Sequence, residues 1–249
     1  MDLELNGRAF IVTGGSRGIG FAGAEALVGN GANVLLNGRD ATTLANSAAR
    51  LGCAAHAGDL ADPALAGALV ADCAAQFGRV DGAFISVGGP PAGRPLAVTD
   101  EQWRAGFESV FLGTIRLMTA VARACSDDGS IAVVLSTSSK SVFTGLTISN
   151  GYRPGLAMVI KDLADEVGPR GVRVNGLMPG KIATDRLRAM DAATGDEVAS
   201  RERSEAQIPL RRYGDPHEFG KVAAFLLSPA ASYITGAIIP VDGGLLRSF

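Results

Sequence analysis

The run Thr13-Gly14-Gly15-Ser16-Arg17-Gly18-Ile19-Gly20 sets glycines where a backbone can close around a phosphate. It stands between a short apolar stretch and an Ala-rich stretch of helical period. Gly14 permits a tight turn, Gly18 lets the main chain approach a pyrophosphate, and Gly20 allows close helix–strand packing. Amides exposed at the helix start attract the anion. With Ser16, Arg17 and Ile19 in the same loop, the chemistry implied is dinucleotide binding. The next apolar run ends Leu36-Asn37-Gly38-Arg39. A carboxylate there would bond a free ribose 2′-hydroxyl and repel a 2′-phosphate. None is present, and Arg39 with Arg17 offers two guanidinium groups suited to a phosphate. Either arginine alone reads as a surface charge; their co-occurrence favours NADP(H) over NAD(H).

Other chemistries are poorly supplied. Two histidines and three scattered cysteines (Cys53, Cys73, Cys125) in 249 residues give no metal-ligand spacing, and no metal is expected. Lys plus Arg is 23 and Asp plus Glu is 25, a net charge of -2, which argues against nucleic acid or an anionic membrane as partner. The basic cluster Arg201, Arg203, Arg211, Arg212 is interrupted by Glu202 and Glu205. The amino-terminal residues lead directly into a strand, and no apolar run approaches the ~20 residues of a bilayer span. The expectation is a cytoplasmic protein.

The elements that must position these residues alternate. Strands are predicted at 9–12, 33–36, 53–56, 81–85, 131–135, 172–177 and 238–241. Helices are predicted at 18–29, 41–51, 63–77, 99–124, 149–167 and 216–227. Short apolar runs without strict alternation, separated by helices, predict a single α/β domain with a doubly wound, parallel, seven-stranded sheet of the Rossmann type. Only 183–214 lacks a clear period. It leaves the carboxyl edge of the sheet, where ligands bind in open α/β folds, so 185–213 is expected to form a substrate lid rather than irregular surface.

The T-G-x-x-x-G-x-G spacing resembles that of the short-chain dehydrogenase/reductase family, and the likeness runs through the chain in the manner of 3-oxoacyl-ACP reductases. Asp59-Leu60 resembles the pair that holds the adenine. Gly88 lies in the stretch Ser86-Val87-Gly88-Gly89, where the family has N-N-A-G. Pro179-Gly180, Ile182 and Thr184 match the segment that contacts the nicotinamide amide, and 233–244 resembles the family's last strand and turn. The resemblance implies a nicotinamide cofactor and a homodimer or homotetramer. Phe107, Phe111 and Leu112 would serve such a face or the core equally well.

The family's Y-x-x-x-K pair is absent. Registering the helix on Lys161-Asp162-Leu163-Ala164 puts Ser149 at the tyrosine position and Arg153 at the lysine position. Counting from the fifth strand puts the carbonyl-orienting serine at Ser136, thirteen residues before Ser149, as the family spacing requires. Tyr152 precedes Arg153 and points about 100° away on a helix, so packing is its expected role. Val110 stands where the family has asparagine, and Ser138 reads as a strand-end or helix-cap residue. Ser136, Ser149 and Arg153 are thus the expected catalytic set, and Arg153 doubles as a ribose contact. The implied activity is NADP(H)-dependent oxidoreduction of a ketone or secondary alcohol. A non-redox enzyme on the same fold and a non-catalytic dinucleotide-binding protein are the alternatives. Pro90, Pro91, Phe143, Met178 and 185–213 are expected to wall an apolar carbonyl substrate.

Overall fold

The structure is a computed structural model that describes residues 2–248. Strand β1 (Ala9–Val12), helix α1 (Gly18–Val28), β2 (Asn33–Gly38), α2 (Ala41–Leu51) and β3 (Ala54–Ala57) form the first winding. Helix α3 (Leu65–Phe77) and β4 (Gly82–Ile85) follow. Next come α4 (Asp100–Gly106), a π-helical segment (Phe107–Leu112) and α5 (Gly113–Ala124), which form one continuous helix. Then come β5 (Ser130–Val134), α6 (Thr147–Val167), β6 (Arg173–Pro179), α7 (Asp185–Ala192), α8 (Glu197–Gln207), α9 (Pro216–Leu227) and β7 (Ile238–Val241). The sheet runs β3-β2-β1-β4-β5-β6-β7, and every adjacent pair is parallel. Strand order reverses between β1 and β4, which opens a crevice at the carboxyl ends of those strands.

Strand periodicity divides the core into two layers. Ile11, Leu35, Ile131, Val133 and Val174 face α3, α5 and α6. Phe10, Val12, Leu36, Phe84 and Leu177 face α1, α2 and α9. Both faces of the central strands are covered, so apolar residues follow one another along them without alternating with polar ones. On the second face α1 and α9 nearly touch: a Cβ on Gly220 would fall 2.3 Å from the Ala22 carbonyl oxygen. Beside β4, the buried Asp81 accepts the Ala9 amide (2.7 Å) and both Arg79 donors (2.6 Å each), tying the turn before β4 to the start of β1.

The predicted elements are all present, with corrected ends. Helix α3 begins at Leu65, because Asp62 caps a preceding turn through the Ala64 amide. Helix α6 begins at Thr147 and carries Pro154 in its interior, which removes the bond to the Asn150 carbonyl. Residues 183–214, for which no period was expected, hold α7 and α8. Their period escapes a sequence reading because α7 buries only Leu187 and Asp191, and α8 buries nothing. Thr184 and Asp196 cap the two helices. Asp100–Ala124 is long and apolar enough to cross a membrane by length and composition alone, though charged residues interrupt it, and in the fold it packs one face against α3 and α6.

Burial pushes the thiols of Cys53 up to about 11 and of Cys73 and Cys125 up to about 12. Thiolate is the reactive form. At neutral pH the native protein should therefore react sluggishly with a disulfide reagent, and unfolding in denaturant should release three fast-reacting thiols.

Candidate functional site

A cleft of about 1340 Å³ opens at the strand-order reversal. That exceeds the ~300–1000 Å³ typical of one drug-sized ligand, so it has room for a dinucleotide and a second molecule. The glycine loop forms its floor. Gly14 (φ +58°) and Gly18 (φ +60°) adopt left-handed backbone, and a Cβ on Gly20 would lie 2.2 Å from the Gly14 carbonyl oxygen. A Cβ on Gly18 would reach within 3.3 Å of the Thr184 methyl, so the loop and the segment after β6 face each other across a narrow gap. Helix α1 has no side-chain cap and no acid in its first turn, whereas Asp40, Thr99, Asp196 and Asp215 cap α2, α4, α8 and α9. Its amino-terminal amides are left for an anion. Gly14, Ser16, Arg17, Gly18, Ile19 and Gly20 all line the cleft.

The remaining nucleotide-binding candidates line the same cleft. Arg39 and Asp59 stand together at one end, 4.0 Å apart, with Leu60 beside them. The Arg39 side chain is 80% exposed, so the pair costs little to break when a phosphate competes. Gly88, Pro179, Gly180, Ile182 and Thr184 form the wall beyond the glycine loop.

Ser136, Ser149 and Arg153 line the same cleft. The chain turns out of β5 into a short 3₁₀ turn (Thr137–Ser139), and the Ser136 hydroxyl accepts the Ser138 amide at 3.1 Å. The capping role expected of Ser138 therefore falls to Ser136. The Ser138 hydroxyl instead lies 2.9 Å from that of Ser149, with both residues buried. Ser149 borders the cleft and Ser138 does not. If Ser138 donates to Ser149, neither hydroxyl of the pair leaves a buried proton unpaired, and the Ser149 proton is free to point into the cleft.

Arg153 follows Ser149 by one helical turn and is 3% exposed. Its Nη1 donates to the Val134 carbonyl at 2.6 Å, and its Nε is buried with no partner. Burial, aided by the positive charge of Arg186, lowers its pKa to about 10, so it remains cationic at neutral pH. Tyr152 turns away, as its position on the helix requires. Its hydroxyl donates to the Trp103 carbonyl at 3.0 Å, and its ring packs edge-on to Trp103 (centroids 5.3 Å) and beside Phe111 (5.7 Å). Val110 is buried in the π-helical segment, and its carbonyl accepts the Thr114 hydroxyl.

The substrate end is not wholly apolar, as had been expected. Pro90, Pro91, Phe143, Leu187 and Met190 line it, but so do Lys181 and Arg186. Met178 is fully buried in the core instead. Arg186 escaped the sequence reading, and Ser138 was read there as a strand-end or helix-cap residue rather than as the partner of Ser149. An S-x-S run after a strand was the available hint for Ser138, and for Arg186 the position two residues beyond Thr184. Helices α7 and α8 overhang this end as a folded unit. The Asp191 carboxylate accepts the Tyr213 hydroxyl (3.0 Å) and the Ser200 hydroxyl (2.8 Å), and the base is pinched by bonds between Ala183 and Gly214 and between Gly214 and Lys181.

A parallel sheet with this strand order, a glycine cradle at its reversal point and hydroxyls facing it across the cleft define a Rossmann-type dinucleotide enzyme. The family model described as enoyl-(acyl carrier protein) reductase matches residues 14–246. The chain is 36% identical over 248 residues to 2,5-dichloro-2,5-cyclohexadiene-1,4-diol dehydrogenase of Sphingobium indicum, covering 97% of this chain and 98% of that one. It is 33% identical to 3-oxoacyl-(acyl-carrier-protein) reductase FabG of Salmonella typhimurium, covering 98% and 99%. The crystal structure of L-sorbose reductase from Gluconobacter frateurii, complexed with NADPH and L-sorbose, superposes with a TM-score of 0.94 at 27% identity over the full length of both chains. The chain belongs to the short-chain dehydrogenase/reductase family and is an oxidoreductase.

Because Tyr152 is committed to the Trp103 carbonyl, Tyr152→Phe should leave kcat within about twofold. It should destabilise the fold by about 0.5–1.5 kcal/mol in urea denaturation, the worth of one hydrogen bond. A hundredfold fall in kcat would mark the phenol as the proton donor.

Proposed function

We propose that the protein is an NADP(H)-dependent oxidoreductase of a ketone or secondary alcohol, with Ser136, Ser149 and Arg153 in place of the family's serine, tyrosine and lysine. One observation carries this reading: Ser149 and Arg153 share the cleft face of α6 with Ser136 opposite, while the only nearby phenol is turned into an aromatic cluster. The glycine loop and the open start of α1 fit the dinucleotide diphosphate. Arg17 and Arg39 fit a 2′-phosphate, and Asp59 with Leu60 fits the adenine. The nicotinamide amide fits against Pro179, Gly180, Ile182 and Thr184, with Gly88 opposite. When bound, the reduced dinucleotide supplies a hydride.

The chain's own groups would manage the oxygen. Ser149, its lone pair taken by Ser138, donates its proton to the carbonyl oxygen, and Ser136 donates from the other side. Charge developing on that oxygen is stabilised by the fixed guanidinium of Arg153 in a partly dehydrated site, where such electrostatics count most. A serine hydroxyl is a far weaker acid than a phenol, and guanidinium stays charged. The proton that neutralises the alkoxide is therefore delivered by water from the cleft, with Ser149 relaying it. Helices α7 and α8 form the lid, hinged at the Ile182–Gly214 bridge. The substrate is a small carbonyl compound. The protein is cytoplasmic and acts as a homodimer or homotetramer, consistent with the partly exposed Phe107 beside Tyr152.

Loss of NADPH absorbance with a panel of ketones tests the activity. Ser149→Ala and Arg153→Gln should each lower kcat by about 10²-fold, within the ~10²–10⁴ range for losing a group that assists proton transfer. Arg39→Ala should weaken NADPH binding about 10- to 100-fold, the worth of a charge-assisted hydrogen bond, and leave NADH binding unchanged. Equal losses for both dinucleotides would exclude the 2′-phosphate role.

A further inference from the structure

Two guanidinium groups face the substrate end of the cleft with no carboxylate to answer them. Arg153 is buried, holds one backbone carbonyl and leaves its Nε unpartnered. Arg186, from the first turn of α7, lines the same cavity. Its Nη1 and Nη2 donate to the Gly89 and Pro90 carbonyls (2.6 and 3.0 Å), which brings the lid against the loop that walls the substrate. The two charges are close enough for Arg186 to lower the pKa of Arg153. Three acids line the cleft, and each is engaged elsewhere: Asp40 caps α2, Asp59 stands by Arg39, and Asp185 lies 3.5 Å from Arg188. Among the described residues, neither Arg153 nor Arg186 has an ion pair.

A buried charge is ordinarily paired, because removing it from water unpaired is expensive. Arg153 bears that cost, the exposed Arg186 adds a like charge beside it, and a ligand that brings the counter-charge relieves both. The dinucleotide diphosphate does not fill this role, since the glycine loop and α1 amides provide for it on the other side of Thr184. What remains is the space between Arg153, Arg186 and the Pro90-Pro91 wall, next to Ser149. A planar carboxylate matches the guanidinium fork.

We propose that the substrate is a keto acid whose carboxylate is held between Arg153 and Arg186, fixing the neighbouring carbonyl against Ser136 and Ser149. This rests on the oxidoreductase reading above and narrows its substrate to carboxylated ketones. Arg186 becomes a specificity-determining residue, and its contact with the acid adds to the bonds that already hold α7 against the Gly89–Pro90 loop.

The test uses the full chain saturated with NADPH and a matched pair, a 2-oxo acid and its methyl ester. The acid should show kcat/KM about 10- to 100-fold above the ester, from one charge-assisted contact. Arg186→Gln should bring that ratio near unity, and Arg186→Lys should restore part of it. Binding of oxalate to the NADPH complex, measured by calorimetry, reads the site without turnover: the native protein should bind it and Arg186→Gln should not. Equal use of ester and acid, or failure of oxalate to bind while neutral ketones turn over, would overturn the anion site alone. An Arg186→Gln loss expressed as weaker NADPH binding, with the acid-to-ester ratio intact, would also overturn it by giving Arg186 to the cofactor. Oxalate binding that depends on Arg186, in a protein that reduces no carbonyl, would uphold the anion site and refute the redox reading instead.

Discussion

A helix advances 100° per residue, and that constraint decides which side chains of α6 can do chemistry. Ser149 and Arg153, four apart, look into the cleft, while Tyr152 cannot share their face and is held by the Trp103 carbonyl. The remaining geometry serves this pair. The 3₁₀ turn after β5 brings Ser138 to Ser149, and the end of β5 itself offers the Val134 carbonyl that tethers Arg153. Strand, turn and helix thus converge on two polar groups in an otherwise apolar layer.

With Ser149 and Arg153 in the proposed catalytic roles, the arrangement exchanges one kind of catalytic power for another. A phenol near an ammonium group gives a good proton donor; a hydroxyl near a guanidinium gives a polarised donor and a permanent positive charge. The second set is suited to holding negative charge and poorly suited to supplying protons. A substrate that is itself anionic matches that balance, and so does a lid whose first turn carries a second arginine. Pro154, retained inside α6 at the cost of a backbone bond, lies directly after Arg153 and breaks the regular bonding of the helix at the functional turn.

The fold was legible where burial imposes a pattern. Ala9–Val12, fully buried, and Ile238–Val241, half-buried at the sheet edge, read correctly at both ends because parallel strands are short and apolar. The glycine loop was legible because left-handed backbone at Gly14 and Gly18 admits few other residues. Helices α7 and α8 were not, since they bury almost no apolar surface and are held by the Asp191–Tyr213 and Asp191–Ser200 bonds. At the site, counting from β5 and from the end of α6 converged on Ser149 and Arg153. The Ser138–Ser149 contact and the place of Arg186 in the cleft were not legible because both are tertiary: one forms only after the 3₁₀ turn, and the other looks like one more surface charge until α7 folds beside the cleft.

The account stands on Ser149 and Arg153 occupying the reacting corner of the cleft. A crystal structure of the NADPH complex with a bound ketone inhibitor measures this directly. The Ser149 hydroxyl should lie within about 3 Å of the inhibitor oxygen over the hydride-bearing ring carbon, with Arg153 beside the nicotinamide ribose. A Tyr152 hydroxyl swung from Trp103 onto that oxygen, with Ser149 left against Ser138 and out of reach, would contradict it.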